Sequence, residues 1–391
     1  MKQEDKLMQI KENIYNVGVN DYEIDLFDGL YWVENGMAYN SYLINYEKVA
    51  VLDAVDENSG DAWLKNIESV LGDRGPDYLV VHHMEPDHSA NIDTFMDKYK
   101  STKIVSSAKS FAMMKQFFGT DYADRQIVVG EGDTLSLGTH TLTFITAPMV
   151  HWPEVIVSYE SETKTLFSAD GFGKFGTTDA DEDWACEARR YYFGIVGKFG
   201  AQVQALLKKA AGLEIETICP LHGPVITENL EYYINLYDTW SSYKPESEGV
   251  MIAYTSVYGN TAKAVELLAN ELEALGCPKV AISNLARCDM AEAVEDAFRY
   301  DRIVLATTTY NGGIFPTMHD FIHHLTDHNF QNRTMGIIEN GSWAPTVEKN
   351  IRLLFEKSKN ITFTEAGVHI KSAVSEDNIA EIKALAQELC K

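Results

Sequence analysis

Cysteine is scarce in this chain and nowhere paired. Its five cysteines, Cys186, Cys219, Cys277, Cys288 and Cys390, show no CxxC spacing and are odd in number. That pattern fits a reducing compartment without a disulfide framework, and it excludes a built-in tetrathiolate zinc or iron site. Basic residues are also few: 33 Lys and Arg stand against 58 Asp and Glu, a formal net charge of −25. A surface so negative repels phosphate backbones, so nucleic acid is not an expected partner. No apolar run approaches the length needed to cross a bilayer, and the start, MKQEDKLMQIKENIY, is charged and lacks an apolar signal segment. No membrane association and a cytoplasmic location are therefore expected.

What is present is a globular composition, 45% apolar and 23% charged, on 391 residues. That length exceeds one ordinary core, so two domains are expected. The first half is rich in strand patterns. NSYLINYEKVAVLDAV (40–55) predicts a hairpin, and TKIVSS (102–107), RQIVV (125–129), HTLTFITAP (140–148), EVIVSYE (154–160) and TKTLFSAD (163–170) continue the series. Helical spacing appears in DAWLKNIESVL (61–71) and AKSFAMMKQFFG (108–119), then in the stretches from Glu187 to Leu213 and from Thr227 to Tyr243. The polar, aperiodic SSYKPESEG (241–249) reads as a break, and the boundary is placed at 248. From Val250 onward strands and helices alternate strictly, the rhythm of a doubly wound parallel sheet.

Three loops of that second half share one chemistry. TSVYGNT, holding Ser256, Tyr258, Gly259, Asn260 and Thr261, links a strand to a helix and offers N–H and O–H donors to a phosphate. This loop has neither the GxGxxG nor the GxxxxGK[ST] spacing, so the dinucleotide and triphosphate fingerprints do not apply to it. On its own such a loop is as often an ordinary turn. The loop after DRIVLA carries Thr308, Thr309, Tyr310, Asn311, Gly312 and Gly313, and the loop after RTMGII carries Asn340, Gly341, Ser342 and Trp343. All three lie at the carboxyl ends of parallel strands, where open α/β sheets bind ligands. The glycines permit close backbone approach, and Tyr310 and Trp343 are placed to flank a flat ring. A phosphate loop followed by two ring-flanking loops resembles a flavodoxin from about 249 to 391. The resemblance implies FMN, its phosphate on the first loop and its isoalloxazine between the other two.

The first half holds a denser cluster, HHMEPDH at 82–88, directly after the apolar run DYLVV. In an extended segment His83, Glu85 and Asp87 point the same way, with His88 turning in after the bend. His151 in VHWPE, Asp170 in FSADGFG and His222 in CPLHGP each follow an apolar stretch and sit beside Gly or Pro. Any single histidine is more ordinarily a surface or satisfied core residue, and His82 is left in that class. Four potential ligands within six positions, with three more at other strand ends, are hard to assemble by accident.

That order of ligands resembles the metallo-β-lactamase fold, an αββα sandwich with the motif H-x-H-x-D-H. Here Glu85 takes the place of the second histidine. A carboxylate in place of an imidazole makes the site harder and more anionic, which favours an iron pair over zinc. A lactamase-like domain (1–248) followed by a flavodoxin-like domain (249–391) resembles the flavodiiron proteins over essentially the whole chain. By that resemblance His83, Glu85, His151 and bridging Asp170 hold one iron, while Asp87, His88, His222 and Asp170 hold the other. His88 is the least secure, because in some members the corresponding histidine turns away. The resemblance further implies reduction of dioxygen to water or of nitric oxide to nitrous oxide, and a head-to-tail homodimer or dimer of dimers. The chain ends after the flavodoxin domain, so an external electron donor such as rubredoxin is expected. Tyr191 and Tyr192 in ARRYY are candidates to line the gas pocket and give a proton or hydrogen bond, and are as readily packed aromatics. Two other classes are weighed: a zinc hydrolase with a fused flavodoxin, which Glu85 disfavours, and an electron carrier with a structural metal domain, which needs no seven ligands.

Overall fold

The computed structural model describes residues 7–391; the opening MKQEDK of the charged N-terminal stretch lies outside them. Two compact units make up the chain, one of residues up to 191 with 201–237, the other of 192–200 with 238–391. The expected boundary at 248 falls at the start of a strand, Ser247–Tyr254. Both units are α/β.

Two facing sheets form the first unit. The hairpin expected over 40–55 is present: Tyr42–Asn45 pairs antiparallel with Val49–Leu52, Tyr42 opposite Leu52. Tyr78–Val80, Lys103–Ser106 and Gln126–Val128 extend that sheet in parallel. Parallel neighbours need crossovers; the middle one carries Ile92–Lys98, and helices Gly60–Leu71 and Ala108–Phe118 supply the other two. Each buries one stripe, Trp63, Leu64, Ile67 and Leu71 in the first and Phe111 and Met114 in the second. The second sheet runs Thr134–Ser136, Thr141–Thr146, Ile156–Glu160, Thr165–Phe167 and Thr217–Cys219. Tyr42, Leu52, Val80 and Val105 of one sheet meet Phe144, Ile156, Phe167 and Cys219 of the other in a single apolar core. The helical stretch expected from Glu187 to Leu213 is broken. An α-helix to Tyr191 passes into a π turn at Tyr192–Val196 and a 3-10 turn at Gly197–Phe199 before Gly200–Ala210 resumes. Gly194, Gly197 and Gly200, poor helix formers, punctuate it.

The second unit is a doubly wound sheet in the order Val280–Asn284, Ser247–Tyr254, Tyr300–Tyr310, Arg333–Asn340, then Ile361–Phe363 and Val368–Ile370, all parallel. Val250, Ile252, Val304, Ala306 and Ile338 of the sheet pack with Leu268, Leu272, Leu385 and Leu389 of helices Asn260–Ala274 and Glu376–Leu389. The strand DRIVLA, expected to give way to a loop that carries Thr308 to Gly313, instead continues to Tyr310 and turns back into Gly313–Ile314. Asn311 and Gly312 make the turn with φ of 49° and 74°. Two positive φ values in a two-residue connection are the type I′ geometry that Asn-Gly favours.

Candidate functional site

The seven residues expected to hold metal converge, and they do so in two sets. His83, Glu85, His151 and Asp170 form one; Asp87, His88 and His222 form the other. Each sits in the connection after a strand: Tyr78–Val80 precedes the 83–88 run, Thr141–Thr146 precedes His151, Thr165–Phe167 precedes Asp170, and Thr217–Cys219 precedes His222. The backbone of 82–88 explains the split. It is extended at Glu85 and then turns into the short helix Pro86–Ser89 with Pro86 in its first turn. His83 and Glu85 share one direction as expected; Asp87, already on the helical turn, joins His88 in the second set and not the first.

In the first set His83 Nε2 and His151 Nε2 lie 3.2 and 2.9 Å from Glu85 Oε2. Both also lie 3.2 Å from Asp170 Oδ2. In the second set His88 Nε2 and His222 Nε2 are 2.9 Å apart and lie 3.3 and 3.2 Å from Asp87 Oδ2. They approach Asp170 through its other oxygen, at 3.6 and 3.9 Å from Oδ1. One carboxylate thus turns one oxygen to each set. His88, the least secure expectation, points inward.

The candidate ligand rings are held from behind. His83 donates through Nδ1 to Glu154 Oε1 at 2.8 Å, and His222 through Nδ1 to the Ala38 carbonyl at 2.8 Å. Such partners fix the tautomer and leave Nε2 free for a metal. His82 behaves as its ordinary reading requires: its ring bonds Asp53 at 2.5 Å and Ser158 at 2.8 Å, outside both sets. Met149 and Ala169, just before Val150-His151 and Asp170, hold φ of 65° and 50°. Non-glycine residues in this region store backbone strain, which gathers at functional sites. Rings of Phe27, Tyr39 and Tyr191 pack 5.5, 6.1 and 5.4 Å from that of His222, and Trp152 packs 5.3 Å from His83. Tyr191 therefore borders the site, whereas Tyr192 packs on Trp240 at 5.5 Å, as the ordinary reading of an aromatic pair has it.

Sequence reading missed Glu154, Asp53 and Asp28. Burial raises the Asp28 carboxyl to about 6, and the negative charges of Glu85 and Asp87 add to the rise. Burial alone would also raise Glu85, but hydrogen bonds from His151 and His83 outweigh it and hold Glu85 at about 2.

A cation fits this cluster. Oδ1 of Asp87, Oδ1 of Asp170 and Nδ1 of His88 are buried without a hydrogen-bond partner. Buried polar atoms without partners are rare and costly, and three anionic side chains gathered this closely need positive charge between them. Each set offers two imidazoles and a carboxylate, the donor group that suits non-haem Fe(II), with Asp170 in addition to both.

The three loops of the second unit close around a cleft of about 520 Å3. Ser256, Tyr258, Asn260, Thr261, Thr308, Thr309, Tyr310, Asn311, Gly312, Asn340, Gly341, Ser342 and Trp343 line it as expected. Gly259 and Gly313 shape the loops instead of lining the cleft: Gly259, at φ 88°, caps the helix Asn260–Ala274, and Gly313 pairs with Tyr310. The helix has no side-chain cap hydrogen bond from that glycine, while Ser256 Oγ accepts from the Gly259 and Ala262 amides at 3.1 and 3.2 Å. Tyr258 and Trp343 are 92% and 83% exposed, far more than packed aromatics. A fourth loop, missed in sequence, adds Ser372, which bonds Ser342 at 2.7 Å and whose carbonyl accepts from Asn340 at 3.2 Å. Volume, hydroxyl-rich first loop and exposed rings fit a flat mononucleotide.

Residues 37–223 match the family model described as ODP family beta lactamase, and residues 251–366 match the Flavodoxin domain. The chain is 28% identical to the anaerobic nitric oxide reductase flavorubredoxin of Salmonella paratyphi B over 348 residues, covering 86% of this chain and 72% of that one. Among solved structures it is similar to the rubredoxin oxygen:oxidoreductase of the anaerobe Desulfovibrio gigas, with TM-score 0.90, 26% identity and 98% of each chain covered. It also shares the fold of the flavodiiron protein from Giardia intestinalis, with TM-score 0.92 and 24% identity over 100% of this chain and 98% of that one. Among the described residues no helix is long and apolar enough to cross a membrane. Two matched domains in this order, on a chain that follows a solved relative over nearly its full length, make it a member of the flavodiiron proteins, the family built on FMN and a non-haem diiron site.

Proposed function

We propose that this chain is a terminal reductase that removes dioxygen as water, nitric oxide as nitrous oxide, or both. Its irons would be held by His83, Glu85, His151 and Asp170 on one side and by Asp87, His88, His222 and Asp170 on the other. The observation that carries this reading is Asp170, whose two oxygens address the two ligand sets separately. When bound, the iron pair supplies the redox centre for the gas and FMN supplies electrons to it. The chain's own residues orient and insulate that centre. Glu154 and the Ala38 carbonyl fix two rings, and Phe27, Tyr39 and Tyr191 form an apolar wall that limits water.

The FMN cleft would be built by the 256–261, 308–313 and 340–343 loops with Ser372. Reduction of dioxygen to water consumes four electrons and that of two nitric oxides only two, so the chain would draw on an external donor, rubredoxin being the candidate. A head-to-tail homodimer or dimer of dimers in the cytoplasm, a metal domain over 1–248 and a flavin domain over 249–391 complete the proposal.

The test is anaerobic purification followed by metal and flavin analysis. About two irons and one FMN per chain, with dioxygen or nitric oxide consumed in the presence of reduced rubredoxin, is the expected outcome. Zinc in place of iron with no gas consumption overturns it. Asp170→Asn should empty the iron pair and leave FMN bound.

A further inference from the structure

A second cavity, of about 250 Å3, lies in the first unit and belongs to neither the ligand sets nor the flavin cleft. Its walls are apolar: Val157, Leu166 and Ile218 come from the second sheet, Val203 and Leu207 from the Gly200–Ala210 helix. What distinguishes it from a packing flaw is its inner end. Val150, the residue before His151, lines it, and so do Gly171 and Phe172, the two residues after Asp170. At two separate loops, then, one residue offers a ligand atom to the metal sets while its chain neighbour faces the cavity. A single thickness of backbone divides the two spaces.

The cavity offers little to water. Ser168 and Tyr237 bring hydroxyls to the lining, and both are engaged with the loop itself. Ser168 Oγ donates to the Gly171 carbonyl at 2.6 Å, and the Phe172 amide donates to Tyr237 Oη at 2.6 Å. The Tyr237 ring stacks on Phe172 with centroids 4.2 Å apart, so the polar edge is turned into the wall. A held water needs two to four polar partners, so this apolar lining holds water poorly and admits small apolar solutes, and half-buried Leu206, Ala210, Leu213 and Ile234 open its outer end to solvent.

We propose that this cavity is an antechamber for the substrate gas, collecting small uncharged diatomic molecules beside the metal sets and passing them across the Val150 and Gly171–Phe172 wall. The inference rests on the functional reading above, that the substrate is such a gas. Dioxygen and nitric oxide leave water readily for an apolar space, so an apolar chamber one residue from the ligands raises their local concentration where they are consumed.

Xenon, an apolar probe of similar size, tests it on the iron- and FMN-loaded protein. Crystals under xenon pressure, or xenon NMR, should place xenon in the cavity of the wild type and not in Ala210→Phe or Leu207→Trp, which fill it. Those two variants touch no ligand residue. With FMN and iron content retained, KM for the gas should rise about fivefold with kcat unchanged. Absence of xenon from the wild-type cavity overturns the proposal without recourse to any variant. Wild-type turnover with KM unmoved in both filled variants overturns the antechamber alone. Wild-type protein that consumes neither gas overturns the functional reading and the antechamber with it, whatever the xenon result.

Discussion

His83 Nδ1 lies 2.8 Å from Glu154 Oε1, and the same oxygen accepts the Met84 amide at 2.9 Å. A carboxylate 71 residues away thus fixes both the ring of a metal-facing histidine and the backbone that carries it. Its other oxygen is buried without a partner, so its negative charge is not spent elsewhere. Removing it frees the ring to rotate and lowers its basicity. Glu154→Ala should weaken iron binding about 10- to 100-fold, and Glu154→Gln less, because an amide oxygen can still accept. Iron per chain after dialysis against a graded chelator measures this. FMN content, set in the other unit, should not change.

Metal uptake should depend on pH because the ligands compete for protons. Burial by itself would lower the His151 pKa, but the Asp170 and Glu85 carboxylates beside it outweigh burial and raise it to about 9 in the metal-free chain. The sign for stability follows. His151 binds its proton more tightly folded than unfolded, so its contribution is complete below its unfolded pKa near 6.5 and is lost as pH rises towards 9. Glu85, held at about 2, contributes above its ordinary 4.5 and loses that contribution as pH falls towards 2. The metal-free chain should therefore be most stable between about 4.5 and 6.5 as far as this pair is concerned. On the proposed ligand set iron needs His151 neutral, so uptake near neutrality should release protons and tighten as pH rises to 9. Calorimetric titrations in buffers of different ionisation enthalpy count those protons; uptake with no proton release would contradict the pairing.

The candidate metal ligands are legible because they are local or punctuated. HHMEPDH concentrates four of them, and His151, Asp170 and His222 sit at strand ends beside Gly or Pro. What supports them is not. Glu154 and Asp53 reach the 82–84 segment from 71 and 29 residues away, and in sequence each is an acidic residue beside an apolar run. Strand pairing within one sheet, Leu52 beside Val80, brings Asp53 there, and the facing sheet, through the strand Ile156–Glu160, brings Glu154. The candidate flavin loops are legible as strand-to-helix connections, but alternation of strand and helix does not reveal that Asn311–Gly312 closes a hairpin, Tyr310 pairing with Gly313. Ser372 was invisible because its loop follows a three-residue strand, Val368–Ile370, with no phosphate chemistry of its own. The broken helix at 192–199 has apolar residues at helical spacing throughout, so periodicity alone did not reveal the π turn.

Tyr237 supports the Asp170 loop through one hydrogen bond. Its hydroxyl accepts the buried Phe172 amide, and Phe172 stands at φ 66°, where few side chains sit comfortably. Tyr237→Phe removes that acceptor and leaves a buried N–H unpaired, a cost of about 1–3 kcal/mol. Urea unfolding should show a lower midpoint with an unchanged slope. An unaltered midpoint would mean that the amide finds another partner.

The proposed flavin cleft depends on a turn that only glycine makes without cost. Gly312 has φ 74° and lines the cleft, and the Thr346 hydroxyl donates to its carbonyl at 3.2 Å. Nothing lies within 4 Å of a Cβ placed there, so Gly312→Val meets no clash and its penalty is conformational, about 1–2 kcal/mol. Gly276 is the matched control: φ 80°, nothing within 4 Å of a Cβ, and no place in the cleft. Both valine variants should lose similar thermal stability. Only Gly312→Val should loosen FMN, because twisting the Tyr310–Gly313 turn moves Tyr310 and Asn311 out of register with the 340–343 loop. Flavin fluorescence on dilution of each loaded variant reads the difference. Equal FMN retention in the two would show that the cleft does not rely on this turn.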